Sequence, residues 1–360
     1  MKLIKETSPY IRRKSSVARM MGDVLIALAP VSIFSMVIYG WRAIYMFLLS
    51  LVVMIGAECV FVYLTKQDPY DGTKKSFKEK VKVACSKATI NNILAPAISA
   101  VIYALLLPAG TNWYIVIIGA LIGIVIGKLV FGGLGANIFN PAAVGRVSVL
   151  ICFGSRLSET LKNASGAFGV DVVAGGTPLA QVMTDMTNVN SYSLLDMFLG
   201  LIPGMIGETS KVLIILGAIY LFIRRSADFR PTLSALVTFM FLMFIAGLKV
   251  DGVNPFTFML YQTLGGGLIF GAVFMLTDPI TSPTTKPGRY LYGIVVAILV
   301  VLIRIFGAYP EGVAFSLLIG NMLVPLIDYY KWQTSKINYK HLILWSGLIG
   351  ACALVLVLGM

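Results

Sequence analysis

Asn137 and Asn140 stand three residues apart, just before Pro141 and just after Gly132, Gly133 and Gly135. Each side-chain amide is both donor and acceptor, which suits a polar heterocycle better than a bare ion. The plainer alternative is that the pair caps a helix. Other cofactor chemistry has less to work with. Cys59, Cys85, Cys152 and Cys352 lie far apart with no CxxC, so no locally built iron–sulfur or zinc site is expected. A cluster shared with another protein of an assembly stays open. His341 is the only histidine, which excludes bis-histidine haem ligation within one chain. Glu58, Lys128 and Arg304 fall within apolar runs. Lys128 and Arg304 are expected to snorkel to an interface, and Glu58 is a candidate for ion handling.

The elements that must position these residues are membrane helices. The chain is 58% hydrophobic and 12% charged, with a mean hydropathy of +0.87; a soluble domain carries roughly 25% charged residues. Runs long enough to cross hydrocarbon, about 20 residues each, fall near 24–40, 43–64, 90–107, 113–131, 137–154, 209–225, 231–248, 257–276, 289–307, 312–330 and 341–358. The expectation is an all-α polytopic membrane protein with about 10–11 transmembrane helices. The apolar stretch 194–207 is short and broken by Pro203, so it reads as an interfacial or re-entrant helix. Residues 1–22 are polar and basic, and no cleavable signal peptide is expected.

Lysines and arginines gather before the first span, after the second, at 224–230, at 286–289 and at 331–340, and every group falls on one side of these spans. That side is the cytoplasm by the positive-inside rule. The net charge of +13 is thereby accounted for without a nucleic-acid partner. The expected organisation is a cytoplasmic segment 1–23, a first transmembrane half 24–154, an external loop 155–193, a second half 194–330, and a basic linker with an extra span at 331–360. Long loops in compact proteins are usually functional or disordered.

The halves echo one another. Asn140-Pro141-Ala142-Ala143-Val144-Gly145-Arg146 and Ser282-Pro283-Thr284-Thr285-Lys286-Pro287-Gly288-Arg289 each follow a glycine-rich stretch and precede a span. Pro and Gly can simply end helices at an interface. The sharper reading is two repeated halves with broken helices meeting at their interface, where a ligand satisfies the freed backbone groups.

The run Lys128 to Arg146 (KLVFGGLGANIFNPAAVGR) closely resembles the membrane-embedded RnfD protein of Rnf complexes, which are ion-translocating ferredoxin:NAD oxidoreductases, and its counterpart in the sodium-pumping NADH:quinone reductase. Further matches are SPYIR at 8–12, GETS at 207–210, TDPITSPTT at 277–285, YPEGV at 309–313 and NMLVPLID at 321–328, so the resemblance covers roughly 8–330. It implies FMN attached through its phosphate as an ester to a threonine. The matching segment is Asp171 to Leu179 (DVVAGGTPL), with Thr177 as the attachment residue, Asp171 upstream and Gly175 and Gly176 before it. Glycine leaves the hydroxyl approachable, and Pro178 restricts the backbone of Thr177. The family usually has Ser or Thr, then Gly, then Ala before the modified residue; here Ala174-Gly175-Gly176 stands instead. Thr184 and Thr187 lack the glycine-rich approach. The resemblance also implies a non-covalent riboflavin near the broken helices, with Asn137 and Asn140 at the family's positions for it.

The function implied is a membrane electron-transfer subunit that relays electrons across the bilayer, coupled to Na⁺ or H⁺ movement in an assembled complex, with no turnover of its own. Implied partners are the flavin- and iron–sulfur-carrying subunits and a flavin transferase, in a prokaryotic cell membrane with the flavin loop outside. A secondary transporter or channel with inverted repeats is the alternative from a different class; a quinone-reducing subunit is the third reading.

Overall fold

Hydrocarbon cannot satisfy backbone N–H and C=O groups, so the apolar runs must close their hydrogen bonds internally as helices. The computed structural model describes residues 16–65, 89–162, 177–189, 191–202, 204–208, 210–307, 309, 311–329 and 337–360. Among them there are helices and no strand. In chain order they are α1 (Val17–Tyr39), α2 (Trp41–Thr65), α3 (Asn91–Leu105), α4 (Trp113–Gly127), α5 (Pro141–Lys162), α6 (Pro178–Thr184), α7 (Leu194–Leu199), α8 (Lys211–Arg224), α9 (Phe229–Gly247), α10 (Pro255–Leu264), α11 (Leu268–Met275), α12 (Lys286–Phe306), α13 (Val313–Tyr329) and α14 (Tyr339–Gly359). The protein is a polytopic membrane protein.

Starts are marked by capping. Ser16 accepts from the Arg19 N–H at 3.2 Å, and Asp228 and Thr285 cap α9 and α12 through their side chains. Six described helices are long and apolar enough to span a bilayer, seven if the bent pair α10–α11 counts as one. α3 and α13 are apolar but have 15 and 17 residues. After α3 the chain continues as irregular backbone buried at residues 107–109, and at membrane depth such backbone is tolerated only inside protein or along a cavity.

Neighbour relations reveal the architecture. α2 packs on α3 and α4, and α4 packs on α5; likewise α9 packs on α10 and α12, and α12 on α13. Across the middle, α1 meets α8 and α5 meets α13. The second set is inverted. The 3-10 turn Ile206–Glu208 that leads into α8 bonds to the far end of α3, Ile206 N–H to Leu107 O at 3.1 Å. So α8 starts from the side opposite to the start of α1. The two proline-containing segments of the sequence echo therefore do not occupy equivalent places. They begin α5 and α12, which run in the same direction, whereas the inverted pattern matches α5 with α13. Their likeness reflects a shared task, starting a helix after an interruption, rather than the symmetry of the fold.

α4 and α5 approach backbone to backbone. A Cβ on Gly123 would lie 2.7 Å from the Pro141 carbonyl, and one on Gly145 would lie 2.7 Å from the Gly119 carbonyl. Small residues let membrane helices close in this way. α5 starts at Pro141 rather than 137, because Asn140 caps it, and it runs on to Lys162. The stretch 155–193 therefore contains the end of α5 and all of α6. In 194–207, α7 is followed by the 3-10 turn. α14 lies against α9 and α12, with most of its surface exposed.

Candidate functional site

Each half carries one interruption of its helices. After α4 the chain passes a 3-10 turn, Leu129–Phe131, then Gly132, Gly133 and Gly135 at φ of 110°, 91° and 94°. These angles are comfortable only for glycine. The second interruption bends α11 by 62° from α10 at Gly265–Gly267, with Gly266 at φ 69°. α11 then ends in a π-turn, Gly271–Met275, before Thr277 and Asp278.

Between the first interruption and the end of α11 lies a cavity of about 770 Å³, counting its open mouth. Its polar lining includes Lys128, Asn137, Asn140, Thr277 and Asp278, and its apolar lining Met20 and Phe274. Asn140 caps α5, its Oδ1 accepting from the Ala142 N–H at 3.0 Å. Its backbone N–H meets Asn321 on α13 at 3.1 Å, in the amide orientation that satisfies both Tyr292 and Leu317. Asn137 does not cap. Its Nδ2 donates to Phe139 O at 3.1 Å, while its Oδ1 is buried with no partner. An orphaned acceptor in a cavity lined by donors and acceptors fits a heterocyclic ligand. Asn137 and Asn140 would be among the residues that hold it.

The expectation that Lys128 snorkels is corrected. Lys128 is 2% exposed and pairs with Glu58 at 2.9 Å, and Asn92 Nδ2 donates to the same carboxylate at 3.3 Å. Burial keeps the ammonium from bulk water, and it takes the Glu58 carboxylate as its partner, with Asp278 lending further negative charge. Arg304 is corrected as well. It turns inward and donates to Gln262 O at 2.6 Å and Gly265 O at 3.4 Å, with its guanidinium 5.0 Å above the Phe239 ring. The bend strands those carbonyls, and lipid offers them no donor.

Arg304 belongs to a buried group that sequence reasoning did not assemble. Arg146 on α5 pairs with Glu311 at 3.3 Å, and Lys211 donates to Glu208 O at 2.5 Å. The carboxyl groups of Glu208 and Glu311 lie within hydrogen-bonding reach of one another. Residues 207–210 and 309–313 served only as family motifs in the sequence. The available signal was the presence of ionisable residues at the ends of short apolar helices, which is costly without partners.

Thr177 is the N-cap of α6 and is buried, its Oγ1 accepting from the Ala180 N–H at 3.3 Å. Because the oxygen acts as an acceptor, esterifying it would remove a proton that the cap does not use. Two residues on, Leu179 rests on the helix break, where a Cβ on Gly266 would lie 2.5 Å from Leu179 Cδ1. Asp171, Gly175 and Gly176 lie outside the described residues. Thr184 bonds to Gln181 O at 2.7 Å and Thr187 to Asp185 at 2.7 Å.

A profile of the NQR2, RnfD, RnfE family matches residues 4–336. The chain belongs to this family. It is 32% identical over 347 residues to the D component of the ion-translocating oxidoreductase complex of Stutzerimonas stutzeri, covering 88% of this chain and 90% of that one. It is 31% identical over 337 residues to the D component of the proton-translocating ferredoxin:NAD(+) oxidoreductase complex of Clostridium ljungdahlii, with 89% and 92% covered. Over 243 residues it is 36% identical to the B component of the Na(+)-translocating NADH-quinone reductase of Chromohalobacter salexigens, with 66% and 58% covered. Placed in this family, the chain is a membrane subunit of an ion-translocating oxidoreductase complex of the Rnf type.

Proposed function

We propose that this protein carries FMN as a phosphoester on Thr177 at the outer face, holds a second, non-covalent flavin in the cavity beside Asn137 and Asn140, and relays electrons between them across the membrane. The N-terminus and the basic loops then face the cytoplasm of a prokaryotic cell, and the attachment segment lies outside. Flavins supply one- and two-electron chemistry when bound; the protein supplies position and tunes the potential.

One observation carries this reading: the two places lie toward opposite ends of α12. The residues leading into α12, Thr277 and Asp278, line the cavity. Arg304, near its other end, stands beside α6 and Leu179. α12 has 21 residues and is therefore about 30 Å long, the thickness of the hydrocarbon core. Asn140 is fixed by its cap and by Asn321, while Asn137 keeps a free acceptor for the ligand. The partners are the other subunits of the complex, with a flavin transferase for attachment.

Inverted halves with broken helices also favour a second reading, a transporter or channel. Covalent flavin separates the two. Protein made alongside a flavin transferase, denatured and run on a gel, should give a fluorescent band, and Thr177→Ala should abolish the fluorescence without loss of membrane insertion. Peptide mapping should place an FMN-sized addition on Thr177. A dark wild-type band would overturn the flavin reading.

A further inference from the structure

Where α8 gives way to α9, Arg225 and Arg230 meet Arg289 of α12 around a basin of about 1100 Å³, counting its open mouth. Met20, Phe222 and Phe229 are among its apolar members. A cavity of this size suits a molecule rather than a bare ion. The charge around it is unbalanced. Arg230 and Arg289 both pair with the single carboxylate of Asp228, and Arg225 has no ion pair among the described residues. Three guanidinium groups thus face one carboxylate.

Arg225 stands where its own backbone argues against it. It is the one described non-glycine residue at positive φ, 55°, closing α8 in the left-handed conformation. Glycine adopts this cap without cost. A charged side chain kept there against backbone strain implies a task for that side chain. The level of the basin in the membrane then selects the anion. α9 is one of the candidate spans, and the basin lies where it leaves the hydrocarbon. Ile223, Phe229 and Leu233 are exposed beside it. A soluble anion has no use for that apolar surface, whereas a phospholipid can lay its acyl chains there.

We infer that this basin holds the phosphodiester of an anionic phospholipid, with the acyl chains against the exposed faces of α8 and α9. Guanidinium groups grip phosphate oxygens through paired N–H donors, and basic pockets between membrane helices suit such headgroups. The basin shares Met20, Ser226, Ala227, Thr277 and Pro279 with the cavity beside Asn137 and Asn140, so a bound headgroup lies against that cavity. Neither the flavins nor the orientation of the chain enters into lipid binding.

The test titrates the full chain in neutral detergent with short-chain phosphatidylglycerol or phosphatidylcholine of the same chain length. The unfolding midpoint and the lipid retained in native mass spectrometry are the readouts. Phosphatidylglycerol should raise the midpoint and stay bound, and phosphatidylcholine should do neither. Arg225→Gly should bind phosphatidylglycerol several-fold more weakly, yet unfold no earlier than the parent without lipid, because glycine suits the turn. Lys249→Gln, exposed just past the far end of α9, removes the same charge and should bind like the parent. Should Arg225→Gly unfold early, Arg225→Gln takes its place in the binding comparison. Equal responses to the two lipids, or binding unchanged by loss of the Arg225 side chain, overturns the site. Inorganic phosphate, or oligoglutamate as a stand-in for an acidic partner segment, that raises the midpoint as much as phosphatidylglycerol at equal concentration overturns the lipid as its occupant.

Discussion

Lys128 and Glu58 form a buried ion pair at 2.9 Å. Removing one partner leaves a bare buried charge, which typically costs about 3–5 kcal/mol, whereas replacing both by apolar residues is often neutral. Glu58→Ala should therefore lower the unfolding midpoint in detergent sharply, and Glu58→Leu with Lys128→Met should recover most of the loss. If the double variant is as unstable as the single, the pair has a role beyond mutual neutralisation. The partners are 70 residues apart, and nothing local marks either as the other's counterion. Hence the sequence favours snorkelling, and Arg304 misleads in the same way. By contrast the role of Asn140 was half legible, because an Asn before a Pro is a known helix start. That Asn137, three residues earlier, keeps an unpaired oxygen depends on how the glycine turns fold back, and spacing does not encode it.

Asp228 offers a residue-level test outside the spans. It caps α9, accepts from the Arg230 N–H at 2.9 Å and pairs with Arg289 at the start of α12. Partial burial opposes its ionisation, but the Arg230 N–H and the Arg289 guanidinium outweigh this and hold the carboxyl below its ordinary value. A depressed native value means that the stabilisation is complete above the unfolded value, about 3.9, and is lost as pH falls through the native one. Asp228→Asn should therefore be less stable than wild type at neutral pH, with the difference closing on acidification below about pH 4. Unfolding midpoints of both proteins from pH 7 to 3 check this, and a gap independent of pH would refute it.

At the scale of elements, α4 and α5 are held close enough that backbone, not side chain, meets a new substituent. Gly123→Val would drive a branched side chain into the Pro141 carbonyl, which cannot rotate away. Overpacking of this kind costs about 1–3 kcal/mol, and here it also displaces the start of α5, where Asn140 sits. The expected outcome is a lower thermal midpoint together with weaker retention of non-covalent flavin. Gly56→Ala on α2 is the control, since a Cβ there meets nothing within 4 Å, and its midpoint should match wild type. The apolar runs were legible element by element, because length and hydropathy are local properties. The glycine-rich break after α10 was legible for the same reason, whereas its 62° angle and the inverted matching of α5 with α13 were not, since they arise from contacts among helices far apart in the chain.

At the scale of the molecule, α14 stands outside the inverted halves and packs on the outer side of α9 and α12. A protein ending at residue 336 should still insert and still show the covalent flavin band at wild-type intensity, with a modest drop in midpoint. In-gel fluorescence normalised to protein is the readout. A dark band would mean that α14 supports the attachment segment through the end of α12. The expected orientation of the whole molecule followed from charge counting alone, because basic residues are retained on the side where the chain is made. The buried group of Arg146, Glu208, Lys211, Arg304 and Glu311 escaped the same counting, since it joins four separate stretches of chain.

The Arg146–Glu311 pair also places a demand on biogenesis. The two residues are separated by 165 positions, and at about 5–20 residues per second roughly 8–33 s of synthesis separate them. Throughout that interval the nascent first half holds an arginine destined for the membrane interior whose carboxylate has not yet been made. Insertion machinery, lipid headgroups or water at the lateral gate must shelter it until the second half arrives, and the two inverted halves then lock together late, as one event.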